Sequence, residues 1–201
     1  MLTSPFCPAC AALAVDKIRR EGFFDPVDPM TNTPYTIRLE TAAEADDVET
    51  LIWDIFGPGM TARAAYALRE GIAFEPDLAF VAEADDGKLV GSVRITKVLW
   101  GSSIVWMLGP LGVARNQSGQ GIGSALMRKV IAACEQKAKT SDIHHIILVG
   151  DLAYYKPFGF QPVRAGTAPM PRPADPSRIL MCPLNGANMD GIEGPVTRYE
   201  V

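Results

Sequence analysis

The sequence predicts a mixed α/β fold of the mixed α+β kind, on three observations. Short apolar strands and amphipathic helices interleave along most of the chain. An apolar strand over residues 103–113 runs directly into a glycine-rich turn and a long helix. Beyond that helix, residues 144–149 (HHIILV) read as a second buried strand. At 201 residues and 48% hydrophobic side chains, the chain suits one domain with a sizeable core.

The elements follow in order. Residues 35–40 alternate as a strand, and Thr41-Ala42-Ala43-Glu44 is a capping box that opens a helix to about Phe56. On that helix Val48, Leu51, Ile52 and Ile55 repeat at helical spacing, which marks a core-facing stripe. Gly57-Pro58-Gly59 breaks it, and residues 61–71 form another helix. Residues 78–84 and 88–99 form a hairpin across Asp85-Asp86-Gly87, and the strand 103–113 follows. After the glycines, Ile122, Leu126, Val130 and Ala133 form one helix face, with Arg128, Lys129, Glu135 and Lys139 opposite. A proline-rich loop, a strand over 178–183 and a glycine-containing tail complete the chain.

The turn Ser118-Gly119-Gln120-Gly121-Ile122-Gly123 carries the first chemistry. Glycines let a backbone approach a ligand closely, and the free N–H groups at a helix start favour phosphate oxygens. The spacing G-x-G-x-G matches neither the dinucleotide fingerprint G-x-G-x-x-G nor the triphosphate loop G-x-x-x-x-G-K-[ST]. A nucleotide-dependent oxidoreductase is thereby disfavoured, and no repeated strand-helix-strand half supports one.

Together with residues 108–113 (LGPLGV), 121–126 (GIGSAL) and 150–160 (GDLAYYKPFGF), this turn resembles the Gcn-related N-acetyltransferase (GNAT) superfamily. It looks closest to a subgroup of predicted bacterial acetyltransferases that combines L-G-P-L-x-V, G-I-G-S-A-L and G-D-x-x-Y-Y-x-x-F-G-F. The resemblance runs from about Tyr35 onward by element order, and its specific residues lie between Leu108 and Phe160. It implies the GNAT acyl-CoA N-acyltransferase fold, a central mixed twisted sheet with helices on both faces. It also implies an acetyl-CoA-dependent N-acetyltransferase in which a primary amine of a small molecule or peptide attacks directly. A non-catalytic acyl-CoA-binding or regulatory module is the alternative.

By that resemblance, Ser118, Gly119, Gln120, Gly121, Ile122, Gly123 and Ser124 hold the pyrophosphate of the cosubstrate, and the strand edge Leu111, Gly112, Val113 holds its pantetheine arm. The Leu111 backbone N–H faces the thioester oxygen, and Tyr155 is the general acid. Tyr154 packs, and Asp151 caps a short helix. The sequence departs from the superfamily in two places. Ser118 stands where a Gln or Arg begins the turn, with Arg115 or Gln117 as substitutes, and residues 104–108 carry no carboxylate. Proton removal then falls to water, with Glu83 or another carboxylate at a distance. Trp53, Phe56, Trp106 and Met107 are divided between core and an apolar acceptor pocket.

The formal charge of −4 and a pI near 5.2 give no general attraction for nucleic acid or anionic lipid, so neither nucleic acid nor membrane is expected as a partner. No apolar run is long enough to cross a bilayer. Residues 1–34 read as an N-terminal extension before a domain over 35–201, with Met30 as a candidate natural start. The extension lacks a basic signal start, and the four cysteines form no disulfide framework, so the chain is read as cytoplasmic. Cys7 and Cys10 read as incidental thiols, Cys134 and Cys182 as packing residues, and His144 and His145 as without chemistry. No metal site is expected, and the resemblance leaves a homodimer open.

Overall fold

The computed structural model describes residues 35–200. The expectations for residues 1–34, including the extension, its cysteines and the candidate start at Met30, lie outside the described residues. Strand β1 (Tyr35–Leu39) is followed by Thr41, whose backbone N–H and hydroxyl both donate to the Glu44 carboxylate at 2.9 and 2.7 Å. The expected capping box opens a 3-10 turn over Ala42–Glu44, and helix α1 (Ala45–Phe56) follows. Gly57, with φ of 65°, stops it at the expected place. The second helix is shorter than expected. Pro58–Ala62 winds as 3-10, and only Ala64–Arg69 is α-helical (α2). Two glycines and a proline at its start favour a tight turn over continued α-helix.

Strands β2 (Phe80–Ala84), β3 (Leu89–Trp100) and β4 (Ser103–Val113) form an antiparallel meander. Helix α3 (Ile122–Lys137) then crosses to β5 (His145–Val149). Short helix α4 (Leu152–Tyr155), β6 (Gln161–Pro162), β7 (Ile179–Pro183) and β8 (Val196–Arg198) complete the order. The strands run β1-β2-β3-β4-β5-β7-β6 across one sheet, with β8 pairing the far end of β3. All pairs are antiparallel except β4 with β5.

Helices cover both faces. Against α3 lie Phe80, Val93, Ile95, Trp106, Leu108 and Leu148. The helix contributes Ile122, Leu126, Met127, Val130 and Cys134, all buried, and burying each larger side chain is worth about 1.5–3 kcal/mol. Ala133 packs only partly, because Cys134 takes the central position. On the opposite face α1 packs Val48 and Ile52 against Val81, while α2 sets Leu68 beside Val98, Val105 and Met107. Trp106 and Met107 are therefore core, and Trp53 is surface at 48% exposure. Cys134 and Cys182 are buried free thiols, as expected of packing residues.

The tail holds a strand that pattern reading does not find. β8 sets Val196, Thr197 and Arg198 opposite Trp100, Leu99 and Val98. Two glycines permit this approach, since a Cβ on Gly101 would lie 2.2 Å from the Glu193 carbonyl oxygen and one on Gly194 would lie 2.8 Å from Gly101 Cα.

Candidate active site

The site forms where β4 leaves β5. The two strands pair in parallel only at Trp106 with Ile146 and Met107 with Ile147. Beyond those pairs β4 continues through residues 108–113 while β5 runs to Gly150, so a wedge opens between them. A bulge starts the departure. Ile95 faces Leu108 but Val93 faces Leu111, so Gly109 and Pro110 together oppose Arg94. Gly109, at φ of 130°, is in a region that disfavours any other residue.

The bulge decides which amides enter the wedge. Ala114 N–H donates to the Val90 carbonyl at 2.8 Å, so residue 114 points toward β3. Amide direction alternates along a strand, so Val113 and Leu111 point away from β3 and toward β5. The Ile95 carbonyl turns the other way, accepting from Glu75 N–H at 2.8 Å, which orients its partner Leu108 toward β5 as well. The side chains obey the same alternation. Leu111 and Val113 pack toward α3, whereas a Cβ on Gly112 would meet Ile52 Cδ1 and Ile55 Cδ1 at 2.8 Å on the α1 side.

The glycine turn lies just downstream. Gly119 and Gly121 adopt φ of 81° and 78°, and Gly121 is the N-cap of α3, with no side-chain cap. No hydrogen bond within the described residues uses the backbone N–H groups of residues 119–124. They converge at the positive end of the helix dipole, and around Gly119 a Cβ would meet nothing within 4 Å. The side chain of Ile122 is buried in the core, so only its N–H is available. The side-chain Oε1 atoms of Gln117 and Gln120 are buried without a partner among the described residues, so both side-chain amides at the turn have unused bonding capacity. Ser118 is exposed. Arg115, a candidate substitute for the missing Gln or Arg, donates to the Ile55 carbonyl at 3.2 Å at the end of α1.

Across the wedge, Asp151 caps α4 through Ala153 N–H at 2.9 Å, as expected. Tyr155 is half-buried, with its ring edge-on to Phe160 at 5.7 Å and to Tyr154 at 4.8 Å. A Cβ on Gly150 would sit 2.2 Å from Tyr155 Cε2, so only glycine makes room for the ring. Burial pushes the Tyr155 phenol up to about 12; Tyr154 adds to the rise and Arg178 opposes it. Tyr154 does more than pack. Its hydroxyl stands 2.7 Å from a Cβ placed on Gly123, so the ring bridges α4 and the first turn of α3. A second tyrosine beside the motif position gives no pattern signal for this, since the contact joins two separate elements.

Two cavities are found near this end of the sheet. The larger, about 460 Å³, is enclosed by the proline-rich loop between β6 and β7 and has no carboxylate in its wall. The smaller, about 260 Å³, borders β4 at Gly109 and Pro110 and is lined by Glu49, Tyr66, Arg69, Glu70 and Arg94. These charged residues were not picked out by sequence pattern, because they come from α1, α2 and β3 with no shared spacing. Arg94 is buried and donates to Glu40 at 2.6 and 2.8 Å and to Glu49, with its guanidinium 4.4 Å from the Phe74 ring centroid. Glu83, by contrast, is at the β1–β2 edge in an ion pair with Arg38. Among the described residues no group of three or more His, Cys, Asp or Glu could hold a metal ion, and no helix is long and apolar enough to cross a membrane.

Comparison with solved structures finds the same architecture. An N-acetyltransferase of the GNAT family (YhbS) from Escherichia coli, in complex with CoA, superposes with a TM-score of 0.68 at 23% identity, covering 89% of this chain and 94% of that one. A GNAT family acetyltransferase from Brucella melitensis, in complex with acetyl-CoA, gives 0.60 at 25% identity over 83% of this chain and 97% of that one. A GNAT family acetyltransferase from Staphylococcus aureus gives 0.53 at 14% identity over 76% of this chain and 100% of that one. A comparison with curated proteins finds no match. The family profile described as acetyltransferase (GNAT) matches residues 45–160, which span α1, the bulged strand, the glycine turn and the Tyr155 motif. With more than half of its length under that match, the chain belongs to the GNAT acetyltransferase family.

Proposed function

We propose that the chain transfers the acetyl group of acetyl-CoA to a primary amine of a small molecule or peptide. The observation that carries this reading is the wedge between β4 and β5, with unpaired amides on its β4 side and Tyr155 on the other. The Brucella melitensis relative is described in complex with acetyl-CoA, which supports the same ligand here.

The residues fit that cosubstrate. The unbonded N–H groups of residues 119–124 suit a pyrophosphate, and the outward amides of Leu111 and Val113 suit the amides of a pantetheine arm. When bound, acetyl-CoA supplies a thioester carbonyl open to attack by a neutral amine. Leu111 N–H donates to oxygen as negative charge develops there, at no reorganisation cost, because the strand already holds it. Tyr155 gives its proton to the departing sulfur, and its raised pKa keeps it protonated throughout the physiological range. Glu49 and Glu70, in the cavity beside Gly109, receive the amine proton through water.

A non-catalytic acyl-CoA-binding module is the second reading, favoured by Ser118 in the turn. Calorimetry with acetyl-CoA, CoA and NAD on one preparation, followed by thiol release over an amine panel, decides between them. Binding of the CoA species with turnover supports the enzyme, and binding without turnover supports the module. Preference for NAD, or no binding of either CoA species, rejects both. Tyr155→Phe is expected to lower turnover by about 10²–10⁴-fold with cofactor affinity nearly unchanged. Equal turnover would remove Tyr155 from the mechanism.

A further inference from the structure

Among the described residues, one cation lining the cavity beside the bulge, Arg69, has no hydrogen-bonded or ion-paired counterpart. Arg94 is matched by Glu40 and Glu49. Arg69 makes no hydrogen bond, ion pair or ring contact with any described residue. Its guanidinium lies against the bulge, with Nη1 2.6 Å from the position a Cβ on Gly109 would take, at a residue whose φ of 130° favours glycine. Burial pushes its pKa down to about 10, while Glu49 and Tyr66 draw it up and Arg94 lowers it further. It therefore stays charged at neutral pH, with Glu49 nearby but no described side chain bonded to it. A largely buried cation without a partner is costly, and a fold retains one most readily where a ligand supplies the missing charge.

We infer that Arg69 binds a carboxylate on the acceptor, so that the substrate class is an amine of amino-acid size bearing its own carboxylate. This inference rests on the acetyl-transfer reading for the identity of the amine, though not for the existence of the anion site. Three features select this class. The planar fork of a guanidinium matches a carboxylate in two parallel hydrogen bonds. The cavity of about 260 Å³ corresponds to roughly nine water volumes, which is room for an amino acid and little more. Glu49 and Glu70 in the same wall disfavour a dianion such as a phosphate ester, yet can accept hydrogen bonds from an ammonium group. Since Arg69 touches Gly109, two residues before Leu111, a carboxylate held there would leave an amine on the adjacent carbon close to the proposed oxyanion donor.

The test compares glycine and L-alanine with glycinamide, L-alaninamide and phosphoethanolamine. It reads calorimetric binding to the CoA-loaded protein and thiol release from acetyl-CoA, each corrected for the fraction of free amine. The wild-type protein is expected to favour the carboxylates over the matching carboxamides by about 10- to 100-fold, the worth of a charge-assisted hydrogen-bond pair. Arg69→Gln should bring that ratio to about one, and Arg69→Lys should restore part of it. A wild-type ratio near one, a ratio unchanged in Arg69→Gln, or preference for phosphoethanolamine overturns the inference. Carboxylate-selective binding without thiol release keeps the anion site and rejects acetyl transfer. Equal thiol release from acids and amides does the reverse. Should Arg69→Gln fail to fold, the wild-type ratio and Arg69→Lys still decide.

Discussion

Gly150→Ala tests the placement of the acid without touching the acid itself. The added methyl carbon would lie 2.2 Å from Tyr155 Cε2, 2.8 Å from Cδ2 and 3.0 Å from Leu148 Cδ1. Carbon atoms settle at about 3.5–4.0 Å, so the ring must retreat by about 1.3 Å or more. The φ of Gly150 is not positive, so alanine strains no backbone dihedral, and Gly150 N–H can keep its 2.9 Å bond to the Arg178 carbonyl. Overpacking of this kind costs about 1–3 kcal/mol, which shows as a Tm lowered by a few degrees. A displacement of about 1 Å at a reacting group costs about 10²-fold in rate. Thiol release at saturating acetyl-CoA is therefore expected to fall about 100-fold in kcat, with calorimetric cofactor affinity within about threefold of wild type. The double variant with Tyr155→Phe supplies the control, because a ring without its hydroxyl has nothing left to misplace. Its kcat should match Tyr155→Phe alone. A wild-type kcat in Gly150→Ala, or a full multiplicative loss in the double variant, would refute the reasoning.

Two further outcomes concern stability. Glu44 is pulled down to about 2 from 4.5 by hydrogen bonds from Arg38 and then Thr41, at side-chain exposures of 18% for Glu44 and 34% for Arg38. The carboxylate is the favoured form in the fold, so its contribution is fully present above about pH 4.5 and is lost as pH falls toward 2. After allowance for solvent screening, Glu44→Gln should cost about 1 kcal/mol at pH 7, and that difference should shrink across this window in thermal melts. Arg94→Met leaves Glu40 buried, with a side chain only 1% exposed, and should cost about 3–5 kcal/mol in urea unfolding. Adding Glu40→Gln should recover part of that loss, and no recovery would mean that the arginine's contribution lies in its packing on Phe74.

The parts of the molecule legible in the sequence are those whose signal is local. Strand β4 has the expected ends because apolar residues fill it and a glycine turn closes it. The turn, α3 and Tyr155 carry spacing that a single segment displays. The acceptor cavity is different in kind. Glu49 sits one residue from Val48 in the core stripe of α1, and Arg69 ends a six-residue helix, so neither stands out until the sheet brings both to Gly109. Strand β8 escaped for a related reason. Three residues are too few to show alternation, and their pairing depends on two distant glycines in contact. The approach of the Tyr154 hydroxyl to Gly123 joins segments that are far apart in the chain, and no periodicity encodes it.

The bulge at Gly109 and Pro110 has a consequence for how this family member can change. It is a phase slip in a strand whose two faces are otherwise indistinguishable by composition. Upstream the even-numbered Trp106 and Leu108 face α3, and downstream the odd-numbered Leu111 and Val113 do. Deleting one residue there would leave the hydropathy of β4 almost unaltered, yet would press Leu111 against Ile52 and Ile55 and turn its amide back into the sheet. Point substitutions along β4 can be graded in their effect. A change of length at this one place cannot, because the same single residue sets the packing of the core and the polarity of the cleft together.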